Sequence, residues 1–91
     1  MKKFYIVHLV NHIKRNGEIE TYHRPGAEFD TFKAAVNAYY QAHENHANGK
    51  GDPDWCGAYI KERNYGGSGI TVSWGMKNGE WRNGSKVKKV Y

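Results

Sequence analysis

One stretch of this chain carries a helical repeat, and the segments on either side of it alternate instead. Phe32, Ala35, Val36, Tyr39, Tyr40 and His43 fall at i, i+3, i+4, i+7, i+8 and i+11, the spacing that gathers side chains on one face of an α-helix. Lys33, Asn37, Gln41 and Glu44 form its wet side, flanked by Ala34, Ala38 and Ala42. Asp30 precedes the stripe as an N-cap, with Phe29 placed to pack onto the first turn. Asn48-Gly49 ends it, so a helix is predicted over residues 31–47. With 91 residues and one helix, the chain has material for one sheet-and-helix domain over 1–91. Such a domain buries about 60–65% of the surface its unfolded form exposes.

The strands follow from period-two alternation. From Phe4 to Lys14, Tyr5, Val7, Leu9 and Ile13 share one face, while Phe4, Ile6, His8, Val10 and His12 share the other. Apolar residues on both faces mark a central strand. A bulged three-residue loop, Arg15-Asn16-Gly17, pairs Ile13 with Ile19, Lys14 with Glu18, His12 with Glu20 and Val10 with Tyr22; a two-residue loop would set apolar against charged residues. Arg24-Pro25-Gly26 is expected to end the second strand, because proline lacks the ladder donor. After a loop at 48–54, a third strand runs from about Trp55 to Arg63, with Cys56, Ala58 and Ile60 inward. Asn64 to Gly69 is a glycine-rich connection, and the fourth strand puts Ile70, Val72, Trp74 and Met76 on one face. Asn78-Gly79 makes a two-residue turn that sets Met76 opposite Trp81. Asn83-Gly84 turns the chain once more and leaves 84–91 as a basic edge strand or a tail that the core can do without.

The fold class is therefore α+β, ββαβββ, with an antiparallel sheet of four to five strands and the helix packed on one face. One helix covers one face. The other is expected to hold Phe4, Ile6, Val10 and Tyr22 in the open, as a contact surface for a partner or a second copy, unless the sheet curls to close it.

Charge is placed unevenly. Residues 1–60 carry seven Lys/Arg and seven Asp/Glu; residues 61–91 carry seven Lys/Arg against Glu62 and Glu80, and so hold the whole net charge of +5. That asymmetry points to an anionic partner, either nucleic acid or an acidic surface; a plainer reading is a solvated lysine-rich tail. Tyr59, Tyr65, Trp74 and Trp81 interleave with Lys61, Arg63, Lys77 and Arg82, and stacking plus phosphate neutralisation is how single strands are held. The phase of Trp74, however, points it inward. The candidate binding residues are Tyr59, Lys61, Arg63, Tyr65, Lys77, Arg82, Lys86, Lys88 and Lys89.

Other chemistry finds little footing. His8 and His12 lie too far apart along a strand to chelate one ion, and His43 and His46 sit near a fraying helix end. No metal or cofactor is expected. Cys56, the single cysteine, excludes an internal disulfide and reads as a small buried hydrophobe in a reducing compartment. Gly66-Gly67-Ser68-Gly69 lacks the Lys-Ser/Thr and helix of a phosphate cradle. A ribonuclease toxin would need His12, His23 or His46 as base with Arg63 or Arg82 on the phosphate. No apolar run reaches membrane-spanning length and no signal peptide is present, so the expected location is cytoplasmic.

Four segments together resemble the small phage-encoded anti-CRISPR proteins, in particular a type I-F inhibitor built from an antiparallel sheet and one helix. They are Tyr5-Ile6-Val7, Lys33-Ala34-Ala35, Gly57-Ala58-Tyr59-Ile60 and the Ser73-Trp74-Gly75-Met76-Lys77-Asn78-Gly79-Glu80-Trp81 hairpin. This chain adds a longer first hairpin, a longer glycine-rich loop and the basic tail. The resemblance implies a non-enzymatic inhibitor that occludes a protein or nucleoprotein surface of a bacterial defence complex.

Overall fold

The Asn-Gly pairs set the frame. In the computed structural model, which describes residues 1–66 and 71–90, the chain forms β1 (Lys2–Ile13), β2 (Ile19–Phe29), α1 (Phe32–Ala47), β3 (Trp55–Asn64), β4 (Thr71–Lys77), β5 (Glu80–Asn83) and β6 (Lys86–Lys88). Gly67-Ser68-Gly69, Ile70 and Tyr91 lie outside the described residues. Ile70's expected place on the apolar face falls there with them. Gly17 (φ 87°) closes the first hairpin in the expected bulged register, with Ile13 opposite Ile19 and Val10 opposite Tyr22. Asn78 (φ 53°) and Gly79 (φ 78°) form a two-residue turn whose backbone twist matches its strands, and Met76 meets Trp81 across it.

The strands form one antiparallel sheet in the order β2-β1-β3-β4-β5-β6. The α+β class is as expected, with six strands rather than four or five. Lys86–Lys88 supply the sixth, β6, beside β5.

Two bulges and a proline change the expected details. Gly26 and Ala27 together oppose Ile6, since Val7 pairs with Pro25 and Tyr5 with Glu28. Pro25 does not end β2. The strand is at the sheet edge, where a missing donor costs no ladder bond, and it runs on to Phe29. In β3, Leu9 pairs with Gly57 and Val10 with Trp55, so Cys56 is the extra residue. It is exposed rather than inward, and its thiol donates to the Leu9 carbonyl at 3.4 Å. The helix N-cap is Thr31, whose Oγ1 accepts from the Ala34 amide at 3.1 Å; Asp30 instead pairs with Lys3.

The core lies between α1 and the sheet. Phe32, Ala35 and Val36 pack with Phe4, Ile60, Trp74 and Trp81. Phe32 meets Phe4, Trp74 and Trp81 edge-on at centroid distances of 5.7, 6.5 and 5.7 Å. The face expected to be open is thus the covered one: Phe4, Ile6 and Val10 are buried. Pairing explains why, because Ile6 faces Ile60 and Ile60 faces Trp74, which ties β1's even-numbered residues to the helix side. Tyr22 shares that side and remains half exposed on the hairpin.

Of the two expectations for 84–91, the edge strand is the one seen: β6 ends the sheet, and Lys88 reaches from it to the core. Lys88 Nζ sits 5.5, 5.4 and 5.5 Å from the rings of Phe4, Phe32 and Trp74. It also pairs with Glu62 at 3.0 Å, and Lys2 approaches the same carboxylate at 3.7 Å.

Candidate functional site

The face turned away from α1 is built by the alternate residues of five strands. Where Phe4, Ile6, Ile60 and Trp74 point to the helix, their neighbours Tyr5, Val7, Tyr59, Lys61 and Ser73 point the other way. Register places them in rows: Tyr5 beside Lys61, and Lys61 beside Ser73; Lys3 beside Arg63, and Arg63 beside Thr71; Val7 beside Tyr59. Arg82 lies opposite Gly75, with Lys77 next along β4. Val7 is only 2% exposed although the helix lies on the other side; its cross-strand neighbours are Tyr59 and Pro25.

Hydrogen bonds fix the aromatic groups of this surface. The Tyr59 hydroxyl and His23 Nδ1 are 2.9 Å apart, with the two rings edge to face. Tyr65 donates to Glu28 at 2.9 Å, and this bond is the main reason its phenol is held above its ordinary pKa. The Arg63 guanidinium lies 4.9 Å from the Tyr65 ring centroid. Gly75 leaves open space on this face, since a Cβ there would meet nothing within 4 Å.

The cations differ in how they are engaged. Arg82 is paired with Glu80 at 3.1 Å. Among the described residues, no carboxylate stands within 4.0 Å of the charged groups of Lys61, Arg63 or Lys77.

The nine residues expected from sequence therefore divide. Tyr59, Lys61, Arg63, Lys77 and Arg82 come together on the uncovered face, with Tyr65 at its edge beside Arg63. Lys88 does not join them, because it is folded over the aromatic core. Lys86, opposite Asn83, shares the helix side with it, and Lys89 is exposed beyond β6. Trp74 and Trp81 are buried and present no stacking surface. Sequence reasoning missed Tyr5 and Lys3, and named His23 only as a nuclease base. The signal for Tyr5 was its pairing with Lys61, which requires the β1–β3 register.

The three histidines named for a ribonuclease lie in different places. His12 packs against Tyr22 and His46 against Trp55, both on the helix side. His23 is on the uncovered face, but Leu9 opposite it and Lys3 opposite Arg63 lie six residues apart on β1, roughly 20 Å. Among the described residues, no group of three His, Cys, Asp or Glu side chains could hold a metal ion. No described helix is long and apolar enough to cross a membrane. No protein-family model, curated protein or solved structure matches the chain.

Proposed function

We propose that the protein is a non-enzymatic binding module that lays single-stranded nucleic acid across the uncovered face of its sheet. One observation carries this reading: Tyr5, Tyr59, Lys61 and Arg63 share that face in adjacent rows, and both cations stand without a carboxylate partner among the described residues. Aromatic rings offer every base a stacking surface, while Lys and Arg neutralise phosphates and release counterions. The space above Gly75 gives a base room to approach the backbone beside Arg82.

Fluorescence anisotropy with labelled single-stranded DNA and RNA 20-mers, titrated from 50 to 200 mM salt, tests the proposal. With three or four phosphates neutralised, the logarithm of the affinity falls linearly with that of salt, with a slope of about −2 to −3. Absence of binding to either strand at 50 mM salt overturns it.

A second reading, inhibition of a bacterial defence complex in the cytoplasm by occluding a protein or nucleoprotein surface, is favoured by a separate feature. The β1–β2 hairpin projects Ile13 and Ile19 at 69% and 68% exposure, with half-exposed Tyr22 on its other face. Apolar side chains held at the tip of a rigid hairpin suit insertion into a protein groove. Under this reading Ile13→Ser/Ile19→Ser abolishes inhibition of the nucleoprotein complex while leaving binding to free single strands unchanged.

A further inference from the structure

On the opposite side of the sheet, against the last turns of α1 and the loop after it, is a cleft of about 230 Å³ that takes no part in the uncovered face. Val10, Ala42 and Trp55 line its apolar part, while Arg24, Asn45, Lys50 and Asp52 supply its polar rim. The two kinds of lining constrain what the cleft can hold.

The apolar part is fixed before any ligand arrives. Trp55 Nε1 donates to His8 Nδ1 at 3.0 Å. His43 and His46 pack against the same indole at centroid distances of 4.9 and 5.1 Å. The loop that brings Lys50 to the cleft is fixed as well. The amides of Asn48, Gly49 and Lys50 donate to the Glu44, His46 and Asn45 carbonyls, and the Asn11 amide donates to the Asp54 carbonyl. A site held in place in this way loses little freedom when it is filled.

The rim carries two cations, Arg24 and Lys50, against one carboxylate, Asp52. The Asn45 side-chain oxygen already accepts from Gln41 at 3.0 Å, which leaves its NH₂ to donate. Asp52 Oδ1 accepts the Asp54 amide at 2.9 Å. Among the described residues, neither Arg24 nor Lys50 has a carboxylate within 4.0 Å. Two cations, one carboxylate already engaged through Oδ1, and an amide donor therefore border a pocket with an apolar floor, so positive charge exceeds negative at the rim.

We propose that this cleft binds a small organic anion: one flat ring carrying a single phosphate or carboxylate. The ring would lie among Trp55, Val10 and Ala42, and the anionic group would take hydrogen bonds from Arg24, Lys50 and the Asn45 amide. The volume is below that of pockets for drug-sized ligands, at about 300 Å³ and upward, which limits the occupant to about one ring and one charged group.

The test follows the Trp55 indole N–H in ¹H–¹⁵N spectra of the full-length protein during titration with phenyl phosphate and benzoate. Phenol and inorganic phosphate serve as the two halves of the probe. Phenyl phosphate or benzoate shifts the Trp55 resonance with a dissociation constant of about 0.1–1 mM, a normal strength for so few atoms, and each half binds at least tenfold more weakly. Arg24→Gln and Lys50→Gln each weaken the anion about tenfold with an unchanged thermal midpoint, since both residues are exposed. Lys61→Gln on the other face has no effect, which separates this site from the nucleic-acid surface. The proposal is overturned if phenol binds as well as phenyl phosphate, if 10 mM of either anion leaves the Trp55 signal in place, or if both Gln variants bind like the parent protein.

Discussion

Replacing Lys88 with alanine removes the side chain by which β6 reaches back over the core. Its ammonium lies within 5.5 Å of three aromatic rings and 3.0 Å from Glu62, whose side chain is 12% exposed. A single charge over partly desolvated rings is worth about 1–2 kcal/mol, counted once because the three rings share it. Breaking a fully buried ion pair costs about 3–5 kcal/mol. Lys2 remains 3.7 Å from the same carboxylate and Lys88 is partly exposed, so about 1–2 kcal/mol applies here. The sum, about 2–4 kcal/mol, is a large part of the roughly 5–13 kcal/mol available to a 91-residue domain. Urea denaturation, followed by the fluorescence of buried Trp74 and Trp81, reads the loss as a fall in midpoint of roughly 2 M at ordinary slopes for this size. Lys86→Ala is the control, being exposed on the same strand, and should stay within about 0.5 kcal/mol of the parent. A double-mutant cycle with Glu62→Gln isolates the ion pair. If Lys88→Ala unfolds at the same urea concentration as Lys86→Ala, β6 is not part of the core and the reasoning fails.

Three further outcomes follow from the same packing. Val36→Asp places a charge at a site 4% exposed beneath the sheet and costs several kcal/mol, while Asn37→Asp on the wet side is nearly neutral; equal thermal midpoints would refute the helix face. Gly26→Ala brings a Cβ within 2.8 Å of Ile6 Cγ2 and 2.9 Å of His8 Nε2, and overpacking of this kind lowers stability by about 1–3 kcal/mol in a denaturant titration. His8 is held below its ordinary pKa by burial first and by the Arg24 charge second, and its Nδ1 accepts from Trp55 only when unprotonated. The unfolded chain therefore binds the proton more readily, so this contribution is complete above about pH 6.5 and is lost as pH falls toward the lower folded value. The thermal midpoint of the parent should fall more between pH 7 and 5 than that of His8→Gln.

The turns and the helix stripe were legible because they rest on local chemistry. Asn16-Gly17 and Asn78-Gly79 fix loop lengths, loop lengths fix register, and the 32–43 spacing fixes the buried helix face. The choice of covered sheet face was not legible, since β1 carries apolar residues on both sides and alternation alone cannot say which side meets the helix. That depends on Ile6 facing Ile60 and Ile60 facing Trp74, which are long-range pairings. The bulges at Gly26-Ala27 and Cys56 leave no local mark either, and each changes the alternation, which is why Cys56 points outward. At the candidate site, Lys61, Arg63 and Tyr59 were legible as a basic-aromatic cluster on one strand. Lys88 looked the same in sequence as Lys86 and Lys89, and only its place opposite Trp81, with its ammonium over Phe4 and Phe32, sets it apart.

The central claim is that nucleic acid is held by the uncovered face and not by positive charge in general. Two double variants remove the same charge from different places: Lys61→Gln/Arg63→Gln from the uncovered face, and Lys86→Gln/Lys89→Gln from beyond β5. Their affinities for a single-stranded 20-mer, measured across salt, test the claim directly. The account predicts at least a tenfold loss for the first pair, with the salt slope reduced by about 1.4 for two lost phosphate contacts, and a loss below threefold for the second. Equal losses from the two pairs, or a larger loss from the second, would contradict it.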